Sequence, residues 1–580
     1  MANSDASVVA SPTGEETFLG HPRGLVILFF TEMWERFSYY GMRGLLIIYL
    51  TQHFLFSDER SALIYGAYVS LVYVMAIFGG SLADKYLGQR KAVTFGAILL
   101  VIGHFGMAFE GSGSKQIMTY QGAEYQLTLD GRGGDATQLV LSDQGRSEIS
   151  FNDDASQMIV ADPAAVGLPA TLPTNAYETR TEREGFYLGI LYLSLGLIIA
   201  GVGFLKANIS TIVGDLYTQG DARRDGGFTL FYMGINLGAF LASWTCGILG
   251  IVYGWKYGFG LAGIGMAFGL FIFLRYQHWL KGLAEPPNPE KLKQKVFGPI
   301  NVEWACYSSA LLIIAVAMAL IMNPEPASML MAAVGVLMFI FLIGYSIIKL
   351  VGKERSRMWA AVYFALAQIP FWSLFEQAGS SLNLFTDRLV DRNLLGWSVP
   401  APVFQSLNAM FIVIFAPLIA MLWVWMSKKK IEPSTPVKFS IGVFGVALGF
   451  LALVAGMKTT GASALTPVMF IFLIYWIHTM AELMLSPVGL SAMTKLAPVQ
   501  AGGLIMGTWF LYTGLSNSLA GVIASSTGAE TIGGKIIDAT SAKAGYAAVY
   551  TNVAYVALGI AVVMLLISPI IKKWMHEADS

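Results

Sequence analysis

Stretches of about 20 mostly apolar residues recur fourteen times along the chain, and this recurrence limits the possible folds more than any other feature. A stretch of this length crosses the hydrocarbon core of a bilayer as an α-helix. The stretches begin near residues 24, 61, 91, 186, 228, 257, 301, 327, 358, 402, 437, 465, 502 and 546. Only 13% of the 580 residues are charged, about half of the ~25% typical of a soluble domain. The sequence therefore predicts an all-α polytopic membrane protein.

Basic residues in the short loops predict how these spans are oriented. An even number of spans puts both termini on the same side of the membrane. Lysine and arginine concentrate in loops on that side, for example Arg90 and Lys91 after the second span and Lys428 after the tenth. Because basic loops stay in the cytoplasm, we expect both termini there. The first 20 residues lack the apolar core of a signal peptide, so the first apolar helix is expected to remain as a span.

The loop between the third and fourth spans, about residues 112–183, is much longer than the others and is expected outside the cell. Its segments EYQLTLDGRGG and ATQLVLSDQGRSEISF alternate apolar and polar residues and break at glycine and aspartate. This pattern is typical of β-strands. We expect a small β-rich insertion, with a disordered loop as the alternative. Nothing in this loop suggests catalysis.

Polar side chains inside the apolar stretches are the strongest functional signal. A charge at the centre of a spanning helix costs roughly 2.5–3.5 kcal/mol, so such residues are functional candidates. At about 100° per residue, six polar side chains of TEMWERFSYYGMRG in the first span share one face, namely Glu32, Glu35, Arg36, Tyr39, Tyr40 and Arg43. We expect this face to line a cavity or polar interface, with Glu32 and Arg36 paired. The alternative is an ion-pair network that serves only to hold the structure.

Isolated polar or aromatic residues also occur in later spans, namely Lys206, Asn236, Trp372, Glu376, Asn408, His478 and Glu482. Lys206 and Glu482 are lone opposite charges in different halves of the chain, and a lone buried charge tends to neutralise. We therefore expect an ion pair between them that opens and closes. His478 fits a satisfied buried histidine better than a proton relay, and Trp372 is equally well explained as a packing residue.

Several classes of protein are disfavoured. Acidic and basic residues are equal in number, at 37 each, which gives no basic surface for nucleic acid. Cys246 and Cys306 lie in apolar stretches, so no disulfide framework is expected. The sequence has no metal-ligand spacing, no GxxxxGK[ST] phosphate loop and no catalytic motif. We expect neither an enzyme nor a bound metal or cofactor, and no obligate protein partner.

Six motifs, in order along the chain, resemble those of the proton-dependent oligopeptide transporter (POT) family of the major facilitator superfamily, in its bacterial type. EMWERFSYYG resembles the family's ExxERFxYYG motif, and GGSLADKYLGQRK resembles the superfamily's loop motif after the second helix. The motifs of the fourth, fifth, seventh and tenth core helices resemble GFLKANISTIVGDLY, FTLFYMGINLGAF, FWSLFEQAGSS and AELMLSPVG. The resemblance covers essentially the whole chain except the tail and the insertion.

The resemblance implies a major facilitator fold, with two six-helix bundles and two extra helices that together make fourteen spans. The parts expected are a cytoplasmic tail 1–23, an N-terminal bundle 24–280 that includes the insertion, a linker 281–357 with the two extra helices, a C-terminal bundle 358–574 and a tail 575–580. Ala207 and Ala76 stand where prolines are common in the family. The second span lacks the histidine of animal members, which leaves proton transfer to carboxylates.

The function that the resemblance implies is proton-coupled symport. Such a protein imports di- and tripeptides across the bacterial cytoplasmic (inner) membrane by alternating access, driven by the proton gradient without a cofactor. The residues implied in proton coupling are Glu32, Glu35, Arg36, Lys206 and Glu482. Those implied in peptide binding are Arg36, Tyr39, Tyr40, Arg43, Tyr73, Lys206, Asn236, Trp372, Asn408 and Glu482. In this scheme the cations face the peptide carboxylate, and Glu482 faces the amine.

The resemblance also implies residues for conformational change. Arg43 and Glu376 are implied as an external gate. The loop motif after the second span contributes Asp84, Gly88 and Arg90, and its role concerns switching between conformations rather than substrate.

Two other functions remain open at this point. One is an anion porter, for example for nitrate, although Glu482 and the intact EMWER motif argue against it. The other is a membrane receptor whose external insertion binds a partner. Saturable accumulation of a substrate would separate a transporter from a receptor.

Overall fold

The structure is a computed structural model that describes residues 17–18, 20–131, 136–152, 154–218, 221, 223–461, 464–498 and 501–576. Within these residues the first helices are α1 (Arg23–Gln52), α2 (Asp58–Leu82), α3 (Gln89–Met107), α4 (Pro163–Val166), α5 (Gly185–Asp215), α6 (Arg224–Ile248), α7 (Trp255–Tyr276) and α8 (Pro289–Lys293). The later helices are α9 (Val302–Met322), α10 (Pro324–Lys349), α11 (Gly352–Phe375), α12 (Ser381–Leu389), α13 (Ser406–Lys428), α14 (Thr435–Thr459), α15 (Met469–Leu496), α16 (Gly502–Ser525) and α17 (Ala539–Met575).

Among the described residues, twelve helical segments are long and apolar enough to cross a membrane. This finding confirms the predicted polytopic membrane protein. Two further long helices, α1 and α16, fall outside that group. The middle of α1 carries Glu32, Glu35, Arg36 and Arg43, and α16 is rich in glycine, serine and threonine. The count of fourteen spans therefore stays a prediction.

Most helices begin within a few residues of the predicted positions, but two begin clearly earlier. Helix α11 starts at Gly352 rather than near 358, and α17 starts at Ala539 rather than near 546. Their first turns, GKERSR and ATSAKAG, are polar or weakly apolar. Such turns extend a spanning helix into water, where the sequence no longer reads as apolar.

The described part of the insertion is a β-sheet, as its alternating pattern predicted. Its seven strands pair antiparallel in the order β8-β7-β6-β5-β4-β3-β9. The short strands before it are β1 (Thr17–Phe18) and β2 (His21–Pro22). The sheet strands are β3 (Lys115–Tyr120), β4 (Ala123–Asp130), β5 (Thr137–Leu141), β6 (Arg146–Phe151), β7 (Gln157–Val160), β8 (Thr171–Pro173) and β9 (Glu178–Glu182).

The remaining strands are short and lie between helices. They are β10 (Lys295–Phe297), β11 (Ile300–Asn301), β12 (Val390–Asp391), β13 (Asn393–Leu394), β14 (Trp397–Ser398), β15 (Thr466–Pro467), β16 (Thr531–Ile532) and β17 (Lys535–Ile536). The hairpin β16–β17 joins α16 to α17 and lies on the same side of the molecule as the insertion. We call this side the insertion end.

Buried apolar side chains form two large clusters among the helices. One draws mainly on α1 to α7, and the other mainly on α10 to α17. Leu384 is an exception, because it lies on α12 but packs in the cluster of the first helices. The short helix α12 therefore reaches across from the second group of helices to the first at the insertion end.

Helices α2 and α16 run along each other between the two clusters, and their separation changes along their length. At the insertion end, a Cβ added to Gly521 would lie only 2.9 Å from the Cα of Gly66. Only glycine permits so close a backbone approach. Toward the opposite end, a Cβ on Gly507 would lie 4.0 Å from Ile77, and one on Gly503 would meet nothing within 4 Å. Helices α2 and α16 are therefore in close contact at the insertion end and lie further apart toward the other end.

Candidate functional site

The polar face of α1 forms a buried ionic cluster. Arg36 Nε lies 2.7 Å from Glu32 Oε1 and 3.0 Å from Glu35 Oε2. The exposed fractions of these three residues are only 7%, 1% and 0%, respectively. Both oxygens of Glu35 lack a hydrogen-bond partner among the described residues. Two carboxylates thus share one guanidinium, and adding a proton to either would balance the charge of the cluster.

Lys206 lies on α5 and faces α2. Its Nζ atom is 3.9 Å from the centroid of the Tyr73 ring, a distance at which the electron-rich face of the ring attracts a cation. The Lys206 side chain is half-buried, and Ser210, one turn further along α5, is exposed. The ammonium group therefore sits at the wall of a space that opens away from the insertion end.

Glu482 lies on α15, in the second group of helices. Its Oε2 atom accepts a hydrogen bond of 2.8 Å from Asn408 Nδ2, and the same amide nitrogen is 3.1 Å from Thr479 Oγ1. The carboxylate is buried, with 8% exposed. Asn408 therefore orients a single carboxylate that has no cation partner within ion-pair distance in the described part of the chain.

The expected ion pair between Lys206 and Glu482 is not formed in this structure. Lys206 contacts Tyr73 and Glu482 binds Asn408 instead. Helices α5 and α15, as described, share no hydrogen bond or ion pair. Lys206 thus belongs to the first group of helices and Glu482 to the second, and each contacts residues of its own group.

Arg43 lies further along α1, near the insertion end. Its Nη2 atom forms an ion pair with Glu376, which lies in the short helical turn Glu376–Gly379 after α11. Its Nε atom donates a 2.6 Å hydrogen bond to the Tyr65 hydroxyl of α2. Both charged side chains are more than nine-tenths buried. The structure thus brings together Arg43 and Glu376, which the resemblance had named as a pair.

Aromatic and amide side chains named in the sequence lie around these charges. Tyr39 and Tyr40 pack edge to face, with ring centroids 5.4 Å apart, and the Tyr39 hydroxyl has no described partner. Trp372 packs against its helix neighbours Phe371 and Phe375, yet its buried indole nitrogen has no described partner. Asn236 donates to a backbone carbonyl of its own helix, α6. The hydroxyl of Tyr39 and the indole N–H of Trp372 are therefore available to form hydrogen bonds with a ligand.

His478 has the structural role that the sequence favoured. Its ring nitrogen Nε2 is 3.1 Å from the carbonyl oxygen of Val446, and its ring packs against Phe450 with centroids 5.1 Å apart. It is buried, with 4% exposed. A histidine satisfied in this way binds α15 to α14.

A second buried ion pair at the insertion end was missed from the sequence. Asp58, at the start of α2, pairs with Arg388 of α12 at 2.6 Å, and both side chains are at most 5% exposed. The Ala529 amide also donates to Asp58, at 3.1 Å. Each residue lies in a polar, loop-like stretch, where charged residues are common and do not indicate a buried pair. The two residues are also 330 positions apart in the sequence. The one available signal was their place at the edge of an apolar span.

Further polar bonds join the same helices. Asn383 of α12 donates to the backbone carbonyl of Gly44 in α1, at 2.9 Å, and Gln52 donates to Asp387, at 3.1 Å. All of these bonds lie at the insertion end. The two groups of helices are therefore tied together there.

The loop after α2 has a tight turn at the opposite end. Gly88 has φ +73°, and a Cβ on it would lie 2.6 Å from backbone atoms of Glu285 and Pro286. Asp84 accepts a 3.0 Å hydrogen bond from Gln89 of α3, and Arg90 forms an ion pair with Glu285 at 2.8 Å. The motif thus binds α2 and α3 to the segment after α7. Within the described residues, no group of three histidine, cysteine, aspartate or glutamate side chains could hold a metal ion.

The fold and the buried charges define a polytopic membrane protein with an ionic cleft between two groups of helices. Comparison with known sequences gives the family. A sequence model described as the POT family matches residues 90–539. The chain therefore belongs to the POT family.

Individual relatives align over most of this chain. It is 32% identical to "Uncharacterized transporter YclF" of Bacillus subtilis (strain 168), over 99% of both chains. It is also 32% identical to "Peptide transporter YePEPT" of Yersinia enterocolitica subsp. palearctica, over 90% of both. "Dipeptide and tripeptide permease B" of Aeromonas hydrophila is 28% identical, over 98% of this chain and 97% of its own.

Solved structures of the family have the same fold. A crystal structure of peptide transporter POT in complex with sulfate superimposes with a TM-score of 0.72 at 30% identity, covering 97% of each chain. A POT family transporter in complex with 5-aminolevulinic acid gives a TM-score of 0.71 at 28% identity, covering 96% of this chain and 98% of that one. The similarity extends over nearly the whole of each chain.

Proposed function

We propose that this protein is a proton-coupled symporter that imports di- and tripeptides across the cytoplasmic membrane of a bacterium by alternating access. The observation that carries this proposal is the separation of unlike charges across the cleft. Lys206 lies on one side and Glu482 on the other, and they do not pair. Burying charges without partners is costly, so a ligand that carries both a carboxylate and an ammonium group would stabilise the site.

A short peptide has that chemistry. Its carboxylate would face Arg36, Arg43 and Lys206, and its amine would face Glu482 with Asn408. Recognition through the two termini leaves the side chains of the peptide to the pockets between them. Tyr39, Tyr40, Tyr73, Asn236 and Trp372 would line those pockets. The names of the relatives, which are peptide transporters and dipeptide and tripeptide permeases, support this substrate class.

Proton coupling would reside in the cluster on α1. Glu32 and Glu35 both form ion pairs with Arg36, so protonation of either carboxylate would remove one of the two attractions on the guanidinium. A freed Arg36 could then bind the peptide carboxylate. Lys206 and Glu482 would respond to the same change, and the proton gradient would supply the driving force without a cofactor.

The arrangement of spans supports two bundles. We assign 24–280, with the insertion, to an N-terminal six-helix bundle and 358–574 to a C-terminal one. The linker 281–357 would supply two extra spans, α9 and α10, which gives fourteen in the major facilitator fold. The two apolar clusters support this division. With both termini in the cytoplasm, the insertion end is the outer end of the molecule, and the opposite end is the inner end.

The structure would then represent an inward-facing state. Arg43–Glu376 and Asp58–Arg388 would close the outer end as gates. The inner end would be open, because α2 and α16 separate there and α5 and α15 share no polar bond among the described residues. The loop motif of Asp84, Gly88 and Arg90 would control the change between states at the inner end.

Uptake by purified protein in proteoliposomes tests the proposed function. The vesicles would be loaded at neutral pH, diluted into acidic buffer and supplied with a radiolabelled dipeptide. We expect saturable accumulation that collapses when a protonophore removes the gradient. Unlabelled tripeptide should compete, and nitrate should not. Equal uptake with and without the gradient, or competition by nitrate alone, would contradict the proposal.

A further inference from the structure

The insertion carries contacts that peptide transport alone does not explain. We propose that its sheet is an outer latch, which holds the β16–β17 hairpin of the second bundle while the outer end is closed and slows reopening. This inference rests on the proposed alternating-access function, because it concerns the rate and balance of that movement. It assigns the insertion a conformational role.

One side of the sheet is fixed to the first bundle. Arg183, just after β9, donates two hydrogen bonds to the turn between α1 and α2, at 2.7 Å to the Phe54 carbonyl and 2.6 Å to the Leu55 carbonyl. Its guanidinium also lies 4.5 Å from the Phe56 ring centroid. At the other end of the insertion, the Ser114 amide donates to the His53 carbonyl, at 2.9 Å. Both chain ends of the insertion, which meet at the β3–β9 edge of the sheet, are thus tied to the same turn.

Side chains of β3 and β5 bind the hairpin between α16 and α17. Gln138 of β5 donates to the Ile532 carbonyl at 3.0 Å, and Lys535 of the hairpin donates to the Ala136 carbonyl at 2.7 Å. The amide of Gly533, at the hairpin tip, donates to the Gln116 side chain of β3, at 2.8 Å. These three hydrogen bonds, one donated by the insertion and two by the hairpin, therefore link the first bundle to the second through the insertion.

The hairpin also completes the apolar core of the sheet. Ile532 is only 6% exposed and belongs to the same cluster as Met118, Leu127 and Val140. Pulling the hairpin away would expose Ile532 and open a gap in the sheet's core. Apolar burial therefore favours the closed latch together with the hydrogen bonds.

The hairpin tip is fitted against α1. Gly533 has φ +62° and Gly534 has φ +87°, values that suit glycine at both positions of a two-residue turn. A Cβ on Gly534 would lie 2.9 Å from the Thr51 carbonyl oxygen and 3.1 Å from the Cα of Gln52. The tip therefore enters a space that has no room for a side chain.

Two cavities flank the hairpin, with volumes of about 980 Å³ and 720 Å³. The hairpin is a narrow bridge between them, with water-accessible space on either side. Because only a few specific contacts hold the hairpin to the sheet, the hairpin can leave the sheet without exposing a large buried surface. This is what a latch in a protein that must reopen in every transport cycle requires.

The latch lies over the ion pairs of the outer end. Opening that end moves α16 and α17 away from α1, so the hairpin must leave the sheet or pull the sheet from Arg183. Either route breaks bonds that the closed state has. The closed state is therefore favoured by contacts that involve neither substrate nor proton.

Spin-label distances across the outer end test this inference without substrate. Labels would be placed with Lys256→Cys and Leu465→Cys, which are exposed residues of the two bundles, after Cys246→Ala and Cys306→Ala. The protein would be reconstituted in lipid nanodiscs. Gly534→Val removes the fit of the tip. Gly396→Val is the matched control, because Gly396 has the same φ of +87° in an outer hairpin of the second bundle but nothing within 4 Å.

We expect Gly534→Val to raise the population with a long distance roughly tenfold, and Gln116→Ala with Gln138→Ala to raise it roughly threefold or more. Gly396→Val should leave it unchanged. Unchanged distances in both latch variants, with normal folding by size-exclusion chromatography and circular dichroism, would overturn the latch. An equal change in the Gly396→Val control would also overturn it, because strain alone would then be the cause.

A transport assay on the same preparations separates this inference from the proposed function. A change in distances without any peptide transport would leave the latch standing and remove the proposed function. Normal transport without a change in distances would remove the latch alone.

Discussion

At the insertion end, which we propose is the outer end, side chains of α1 and α2 bind α12 and its neighbours. At the opposite end, the proposed inner end, α5 and α15 share no hydrogen bond or ion pair among the described residues. Arg43–Glu376 and Asp58–Arg388 are buried outer pairs. At the inner end, the hydroxyl-bearing residue Thr211 of α5 is exposed. The chain thus holds one end shut with directional bonds, and leaves the other lined with groups that water can solvate.

Under the proposed alternating access, this difference predicts that most of the free-energy cost of switching lies in the contacts of the outer end. A buried ion pair is stable only while its partners meet, since a lone buried charge is strongly disfavoured. The outer bonds must therefore break together when that end opens, with water replacing each partner. Exposed hydroxyl groups lose little hydration free energy when the inner end closes. The balance between the two states is set mainly at the outer end.

Breaking Asp58–Arg388 should have the largest effect on this balance. Asp58→Ala leaves a buried guanidinium without its carboxylate, at a cost of about 3–5 kcal/mol in the closed state. The reporter is maleimide labelling of Leu384→Cys, a position only 2% exposed, in a background without other cysteines. We expect labelling from outside to become at least ~100-fold faster, since each 1.4 kcal/mol is a factor of ten. Lys293→Gln, in an ion pair whose side chains are 72% and 80% exposed, is the control and should change nothing.

Breaking Arg43–Glu376 should have a smaller effect. In Glu376→Ala the guanidinium keeps its bond to Tyr65, and in Arg43→Ala the lone Glu376 carboxylate can take up a proton and lose its charge. Arg43→Ala and Glu376→Ala should each slow uptake and raise Leu384→Cys labelling by roughly tenfold. Arg43→Glu combined with Glu376→Arg should restore part of the closure but not full transport, because Arg43 also faces the proposed substrate. If neither single variant changes labelling, the gate assignment is wrong even where uptake falls.

The contact between α2 and α16 allows the spacing of the two ends to be compared by making the same substitution, glycine to valine, at each end. Gly521→Val places a side chain against Gly66 at the closed outer end, and Gly507→Val places one where the helices separate. Overpacking costs about 1–3 kcal/mol, so Gly521→Val should raise outer labelling a few-fold and Gly507→Val should not. Equal labelling in the two variants would show that the helices are not differently spaced.

The proton site should have the smallest effect on the outer end and a decisive effect on coupling. Glu35→Gln removes a carboxylate that shares Arg36 but touches neither outer ion pair. We expect labelling of Leu384→Cys to change less than about twofold, since distant sites act nearly independently. Gradient-driven accumulation should be abolished, while peptide counterflow stays partly intact. Accumulation at the level of the parent protein would exclude Glu35 from coupling.

The features predicted well from the sequence are those with a local repeating pattern. Apolar length predicts where spans lie, and period two predicts the sheet of the insertion. Helical spacing places Glu32, Glu35 and Arg36 on one face, and the structure pairs Glu32 with Arg36. Each of these patterns is complete within a short stretch of chain.

What the sequence could not provide depends on contacts between distant segments. Asp58 and Arg388 read as ordinary loop charges until the fold places them together. The bond between Gln138 and the β16–β17 hairpin joins residues 394 positions apart. The pairing of Lys206 with Glu482 was inferred from unlike charge alone, yet it also depends on which end of the cleft is open. In the state described here they stay apart, and the pair remains a prediction for another state.

Alternating access requires that one cleft opens at only one of its two ends at a time, and distances measured at both ends report this. Two samples in nanodiscs would carry spin labels. One would have them at Lys256 and Leu465 for the outer end, and the other at the exposed residues Thr211 of α5 and Thr494 of α15 for the inner end. Dipeptide and acidic pH would be varied together in both. We expect that whenever the outer distance lengthens in a fraction of molecules, the inner distance shortens in the same fraction. Distances that lengthen at both ends together, or that stay fixed while the protein transports, would contradict it.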